Sequence, residues 1–155
     1  MSPLNFMPHL IEYPTIGFLT QLLDHISAPL IVSLGAVPGA LSRYYLTIFF
    51  AQRLGIRFPY GTFLINLSGS LLIGFLTTFA LTHSSLTPNL QLLLTTGFLG
   101  SYTTFSTYAL DTATLWRTHR RSIACFYWAG SVVLGGVCLM MGMVLAHALT
   151  RALSS

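Results

Sequence analysis

Four mainly apolar stretches alternate with short polar connectors along the chain, and each is long enough to cross a bilayer. They are residues 29–50, 60–81, 90–116 and 122–149. A helix needs about 20 apolar residues to span the hydrocarbon core, and it satisfies its backbone hydrogen bonds internally where water is absent. The pattern therefore predicts an all-α membrane protein with four transmembrane helices.

The longest segment outside these stretches is N-terminal. Residues 1–27 contain three prolines and two carboxylates, and they lack the positive start and apolar core of a signal peptide. We expect an N-terminal extension at 1–27 that is interfacial or disordered. A four-helix domain at 28–150 and a C-terminal tail at 151–155 follow.

The first stretch carries small residues and one charge on the same helical face. Gly35 and Gly39 lie four residues apart, where their small size lets another backbone come close. Arg43 continues this face. It is either an anchor at the helix end or a functional cation, and both interpretations stay open.

A polar stripe runs along the second stretch, because Thr62, Asn66 and Ser70 recur every four residues. Residues so spaced share one face of a helix, and that face must contact protein or water rather than lipid. Two interpretations remain: the side chains line a pore, or they form hydrogen bonds that join helices.

The third stretch is the least regular. After an apolar start it reads GSYTTFSTY at residues 100–108. A glycine followed by consecutive threonines suggests an interrupted helix, whose freed carbonyls are tolerated only against protein, water or an ion and are natural ligands for a monovalent cation. A continuous helix, in which Thr and Ser hydroxyls bond back to its own carbonyls, explains the same residues equally well.

The composition indicates a chain that lies almost entirely in the membrane. It is 54% hydrophobic and 6% charged, with a mean hydropathy of +0.73, whereas a soluble domain is roughly one-quarter charged. The basic residues are seven scattered arginines, which argues against nucleic-acid binding. The two cysteines and five histidines lack the spacing of a metal site. No nucleophile, base and orienting group converge, so an enzyme is not expected.

Three motifs resemble the signatures of the CrcB/Fluc family of fluoride channels in residues, order and spacing. They read GAVPGALSRY at 35–44, GTFLINLSG at 61–69 and GFLGSYTTFSTY at 97–108. The resemblance implies a passive fluoride-selective channel that exports cytoplasmic fluoride and lowers its toxicity. It also implies a subunit with a broken third helix, paired antiparallel with a second subunit, and a structural Na⁺ at the dimer centre.

The resemblance further implies roles for eight residues. They are the sodium ligands Gly100 and Thr103 through their carbonyls, the pore residues Asn66, Ser70, Phe105, Tyr108 and Ser131, and the vestibule residue Arg43. Tyr108 departs from the family pattern, which usually has a second Phe there, and Gly135 replaces an expected polar residue. Fluoride is small and strongly hydrated, so hydroxyls, an amide and aromatic edges suit it better than a large cationic cavity.

The arginines predict an orientation in the cell membrane, or in the inner membrane of a cell that has two. The connectors after the first and third stretches hold five arginines, and the opposite side holds Arg151; Arg43 is omitted as intramembrane. By the positive-inside rule both termini face away from the cytoplasm. This bias favours a paralogous partner inserted the other way, with a homodimer as the alternative.

Two other functions stay open. A non-conducting or partner-dependent subunit of a two-gene fluoride channel would carry the same motifs. A small four-helix drug or cation transporter would need a carboxylate within the membrane to exchange protons for its cargo. Only Asp111 offers one in the four stretches, late in the third and near an interface.

Overall fold

The computed structural model describes the backbone of residues 14–82 and 86–154, and the side chains of residues 26–82 and 86–153. All regular structure in these residues is helical. The helices are α1 (Pro14–Leu54), α2 (Tyr60–Thr82), α3 (Pro88–Leu92), a π-helical segment (Leu93–Leu99), α4 (Gly100–Tyr102), α5 (Phe105–Arg117) and α6 (Arg121–Ser154).

Three helical stretches in the described part are long and apolar enough to cross a membrane. They are Ile26–Leu54, Tyr60–Thr82 and Arg121–Leu153. The prediction of an all-α chain with several membrane-spanning helices is therefore confirmed at this level.

The first and last helices extend beyond the apolar stretches. α1 begins at Pro14 and continues through Pro29 and Pro38, and α6 ends only at Ser154. Hydropathy marks where a helix is apolar rather than where its backbone hydrogen bonds end, so these two helices are longer than the apolar stretches within them. The domain limits after residues 27 and 150 fall inside helices and stay predictions, and residues 1–13 lie outside the described residues.

α2 is the central helix of the structure. It packs along α6, and it also contacts α1 and every part of the segment from Pro88 to Arg117, which we call the third helix. Two glycines make the α2–α6 contact close. Gly74 faces the carbonyl of Leu139, and Gly142 faces the carbonyl of Leu71, so a Cβ at either position would collide with backbone.

α1 packs against the π-helical segment and α4. Gly35 and Gly39 face the backbone of Gly97 and Phe98, and the Ser101 hydroxyl donates to the carbonyl of Ala36 at 2.9 Å. The close approach predicted for the two glycines of α1 is therefore confirmed.

The third helix is interrupted at Thr103 and Thr104. Both are extended, with φ and ψ of −78° and 158° at Thr103 and of −149° and 120° at Thr104, whereas Gly100 is helical. The interrupted helix is confirmed, and within the polar run at 100–108 the break covers only these two residues. Back-bonding does occur, since the Thr103 hydroxyl donates to the Leu99 carbonyl at 2.9 Å, yet it does not keep the helix continuous. The π-helical segment before the break was not predicted.

The two arginine-bearing connectors lie at the same end of the structure. Phe58, between α1 and α2, contacts Tyr127 and Phe126 near the start of α6, with ring centroids 5.5 and 6.2 Å apart. The guanidinium of Arg121 lies 5.6 Å from the Trp116 ring centroid. Five arginines and several aromatic rings therefore mark one end, a pattern typical of a membrane–water interface.

Gly142→Ala is expected to lower the stability of the purified protein by about 1–3 kcal/mol, because the added methyl group overpacks the α2–α6 contact. The measurement is the melting temperature in detergent. Gly136→Ala is the control on the same helix, since a Cβ there meets no atom within 4 Å. Equal melting temperatures for the two variants would contradict the close contact.

Candidate functional site

Asn66 of α2 binds the backbone at the break. Its Nδ2 donates to the Thr104 carbonyl at 3.0 Å, and its Oδ1 accepts the Thr104 N–H at 2.9 Å. Thr104 is only 8% exposed, so water is not its main partner. Asn66 thus supplies the acceptor that the Thr104 N–H has lost, and it adds a hydrogen bond to the Thr104 carbonyl, which is also the N-cap carbonyl of α5. This part of the polar stripe therefore faces protein.

Thr104 also begins α5. Its hydroxyl accepts the N–H of Thr107 at 3.3 Å in the N-cap position, which satisfies one of the free donors at the helix start. Gly69 of α2 makes room for the break on the other side, because a Cβ there would meet the methyl group of Thr103. The interruption is therefore specified by residues on both helices.

A cavity of about 320 Å³ opens at the interruption, and we call it the break cavity. Six of the eight predicted site residues line it, namely Asn66, Ser70, Gly100, Thr103, Phe105 and Tyr108. They come from α2, α4, the break and α5. Residues assigned to a cation site and to a pore therefore lie side by side.

The two aromatic residues of this cavity differ in exposure. Phe105 is the first residue of α5 and is 79% exposed, whereas Tyr108 is 7% exposed. Their ring centroids are 5.8 Å apart. The Tyr108 hydroxyl donates to the Trp128 carbonyl of α6 at 2.9 Å. The phenol that departs from the family pattern therefore joins α5 to α6, and its proton is not directed into the cavity.

The structure does not bring the other two predicted residues into the break cavity. The Ser131 hydroxyl donates to the Tyr127 carbonyl of its own helix at 2.6 Å. Arg43 is half-buried and lines a second cavity of about 370 Å³, which we call the arginine cavity. Its polar lining also includes Thr47, Thr62, Thr104, Ser106 and Thr107. Thr104 thus belongs to both cavities.

Asp111 has more hydrogen bonds than its sequence position suggested. Its Oδ2 accepts the Thr62 hydroxyl at 2.8 Å and the Tyr127 hydroxyl at 3.3 Å, so the carboxylate joins α2, α5 and α6. Tyr127 is fully buried. The hydrogen bonds of Asp111 were not predicted from the sequence. Its position in an apolar stretch was the available signal, because a carboxylate there is costly and usually has hydrogen-bond or ion-pair partners.

The described residues contain no group of three His, Cys, Asp or Glu that could hold a metal ion, and the ligands predicted from the sequence are backbone carbonyls. In a continuous helix, the carbonyls of Gly100 and Thr103 would accept the N–H groups of Thr104 and Thr107. Those N–H groups donate instead to Asn66 Oδ1 and Thr104 Oγ1. The two carbonyls are therefore released from the helix, and released carbonyls suit a monovalent cation.

Residues 30–143 match the family model described as "CrcB-like protein, Camphor Resistance (CrcB)". The chain belongs to the CrcB family. The resemblance seen in the three sequence motifs is thereby confirmed, and the matched region contains all eight predicted site residues. The first 29 residues lie outside it.

Three relatives in this family carry the name "Fluoride-specific ion channel FluC". The protein of Trichormus variabilis is 54% identical over 123 residues, which are 79% of this chain and 90% of that protein. A Synechococcus protein is 49% identical, covering 79% of this chain and 94% of its own. A Synechocystis protein is 47% identical, covering 81% and 96%. The chain thus spans nearly the whole length of these CrcB-family proteins.

Thr62→Val is expected to destabilise this CrcB-family protein by about 1–3 kcal/mol, because it removes a hydrogen bond to a half-buried carboxylate. A lower melting temperature in detergent would show the effect. Thr112→Val serves as the comparison, since the Thr112 hydroxyl donates to the Tyr108 carbonyl of its own helix at 2.8 Å. If Thr62→Val melted like the wild type, the Asp111 contacts would not contribute to stability.

Proposed function

We propose that this protein is a subunit of a passive fluoride-selective channel, which lets cytoplasmic fluoride leave down its gradient and so lowers its toxicity. The observation that carries the proposal is the match to three proteins named fluoride-specific ion channels, each over at least 90% of its length. Permeation makes and breaks no covalent bond, so no enzymatic activity is proposed.

The lining of the break cavity supports a path for a small, strongly hydrated anion. Asn66 has a second Nδ2–H besides the one it donates to Thr104, and Ser70 offers a hydroxyl. The exposed ring of Phe105 offers the positive edge of its quadrupole. None of these groups carries a full charge, so they can replace water without binding the ion too tightly to leave.

We propose four membrane crossings, with the third made by the segment from Pro88 to Arg117. Its roughly 30 residues would rise about 45 Å as a continuous helix, which exceeds the hydrocarbon thickness of about 30 Å. The interruption is compatible with a membrane interior, because the backbone groups of Thr104 are bonded to α2.

A second subunit would complete the path, packed antiparallel against the exposed side of the break. Phe105 occupies a proposed pore position and yet is 79% exposed, so the facing wall must come from another molecule. A sodium ion held by the carbonyls of Gly100 and Thr103 would supply a structural positive charge near the fluoride path. Arg43 would attract anions towards the membrane region from the arginine cavity.

The arginine distribution supports one fixed orientation in the cell membrane, which would be the inner membrane in a cell with two. Both arginine-bearing connectors lie at one end, which would face the cytoplasm. We therefore propose that the antiparallel partner is a paralogue rather than a second copy. The subunit alone would then conduct poorly.

A proton-coupled drug or cation transporter is the alternative from another functional class. Its carboxylate would be Asp111, whose Oδ2 accepts hydrogen bonds from Thr62 and Tyr127. These bonds direct the carboxylate towards α2 and α6, and Asp111 does not line the break cavity. The geometry thus favours a structural role for Asp111 over cargo exchange.

Fluoride efflux from liposomes tests the channel directly, with the protein reconstituted alone and with any paralogue. Efflux driven by the fluoride gradient alone, with chloride retained, is expected. Phe105→Ile should abolish it, because the aliphatic side chain lacks the aromatic edge. Phe126→Ile is the control: it is also an exposed Phe, 62% exposed on α6, and it should leave efflux unchanged.

Other outcomes would favour the alternatives. Absence of efflux from every preparation, with protein that remains folded, would indicate a non-conducting subunit. Efflux that requires a proton gradient and is lost in Asp111→Asn would indicate a transporter.

A tag at each terminus tests the orientation. When the protein is expressed alone, both tags should be accessible only from the side opposite the cytoplasm, because five arginines lie in the two connectors at the other end. Replacing Arg117, Arg120 and Arg121 with Gln should produce both orientations. Tags found on both sides in the wild-type protein would instead support an antiparallel homodimer.

A further inference from the structure

The hydrogen bond from Thr104 N–H to Asn66 Oδ1 affects the carbonyl of Gly100. In a continuous helix this N–H would donate to the carbonyl of Gly100, four residues earlier. Thr103 has a ψ of 158°, which turns the following peptide out of the helix, and the N–H reaches Asn66 Oδ1 at 2.9 Å. Asn66 therefore takes the donor that would otherwise occupy the Gly100 carbonyl.

We propose that Asn66 is a positioning residue for the cation site: by binding both backbone groups of Thr104, it keeps the Gly100 carbonyl free to bind Na⁺. This inference rests on the sodium site of the proposed function. It adds that the residue lining the fluoride path also maintains the cation site. The affinity for Na⁺ then depends on a side chain that does not touch the ion.

Removal of the Asn66 side chain would shift the equilibrium from the interrupted helix towards the continuous one. Thr104 is 8% exposed, and an unpaired backbone N–H in such a place is unfavourable. Without Asn66, the nearest acceptor along the helix is the Gly100 carbonyl. Extending α4 by one residue would satisfy the N–H and remove a ligand from the cation.

The chemistry of the contact requires an amide of this length. Asn66 donates to the Thr104 carbonyl and accepts from the Thr104 N–H at the same time, and a carboxylate offers only acceptors. Asparagine also keeps a second Nδ2–H, which stays available to an anion. Aspartate would lose the donation to Thr104, alanine would lose both bonds, and glutamine would carry the amide one methylene further.

The test measures sodium dependence rather than flux. The melting temperature of the purified full-length protein, alone and together with any paralogue, is recorded in detergent without fluoride, while NaCl replaces N-methylglucamine chloride at constant ionic strength. The wild-type protein should be stabilised by Na⁺ with a defined midpoint, because a ligand that binds only the folded state raises its stability. Asn66→Ala and Asn66→Asp should raise the midpoint by about tenfold or more, as loss of an outer-shell partner does at other metal sites.

Ser68→Ala is the matched control. The Ser68 hydroxyl lies 2.9 Å from the Tyr102 hydroxyl, so this variant also removes a hydrogen bond between α2 and the third helix. It leaves the Thr104 contacts in place. Its melting temperature should fall, whereas its Na⁺ midpoint should equal that of the wild type. A purely structural role for Asn66 would give the same result as this control.

The outcomes separate this inference from the proposal on which it rests. A wild-type protein whose stability does not respond to Na⁺ in either preparation would overturn the sodium site and this inference with it. A wild-type response that the Asn66 variants keep at the same midpoint would overturn this inference alone. If both Asn66 variants fail to fold, Asn66→Gln undergoes the same titration, and an unchanged midpoint in that variant overturns the inference.

Discussion

A buried backbone N–H or C=O without a partner costs several kcal/mol, and the helical hydrogen bonds of the third helix are interrupted at Thr103 and Thr104. Side chains provide the missing hydrogen bonds. Asn66 binds both groups of Thr104, and the Thr104 hydroxyl binds the N–H of Thr107. The break cavity depends on these side-chain hydrogen bonds. In a continuous helix the Thr104 N–H would bind the Gly100 carbonyl, and Phe105 would lie within the helix rather than at the start of α5.

Close backbone packing makes the side-chain hydrogen bonds at the break possible. Gly35 and Gly39 bring α1 against the third helix just before the break, while Gly69 leaves room for the Thr103 methyl group on the side of α2. The third helix is therefore held from two sides by backbone contacts that larger residues would prevent. Side-chain hydrogen bonds of about 3 Å, such as those of Asn66, require this positioning.

Much of this arrangement could be predicted from the sequence, because hydropathy and helical spacing are properties of single segments. The four-residue spacing of the polar stripe placed Asn66 on a protein-facing side, and the run around Thr104 indicated an interruption. The partners could not be predicted in the same way. The hydrogen bonds of Tyr108 to Trp128 and of Tyr127 to Asp111 depend on how α5 and α6 are rotated against each other.

Helix ends and local geometry were also beyond the sequence pattern. Hydropathy does not distinguish an α-helical from a π-helical backbone, so it could not predict the π-helical segment Leu93–Leu99. Ser131 shows the same limit at the level of one residue. Its pore role stays a prediction, and the sequence pattern did not indicate that its hydroxyl donates to the Tyr127 carbonyl, a bond that Ser commonly makes in helices.

Thr104 lines both the break cavity and the arginine cavity, so a wall one residue thick separates the two spaces at that point. Electrostatic interactions through such a wall are screened less than through water, because protein has the lower dielectric constant. The charge of Arg43 therefore contributes to the potential on the far side of Thr104. Thr104 therefore links the two cavities. It forms part of the lining around Arg43, and its backbone bonds to Asn66 shape the break cavity.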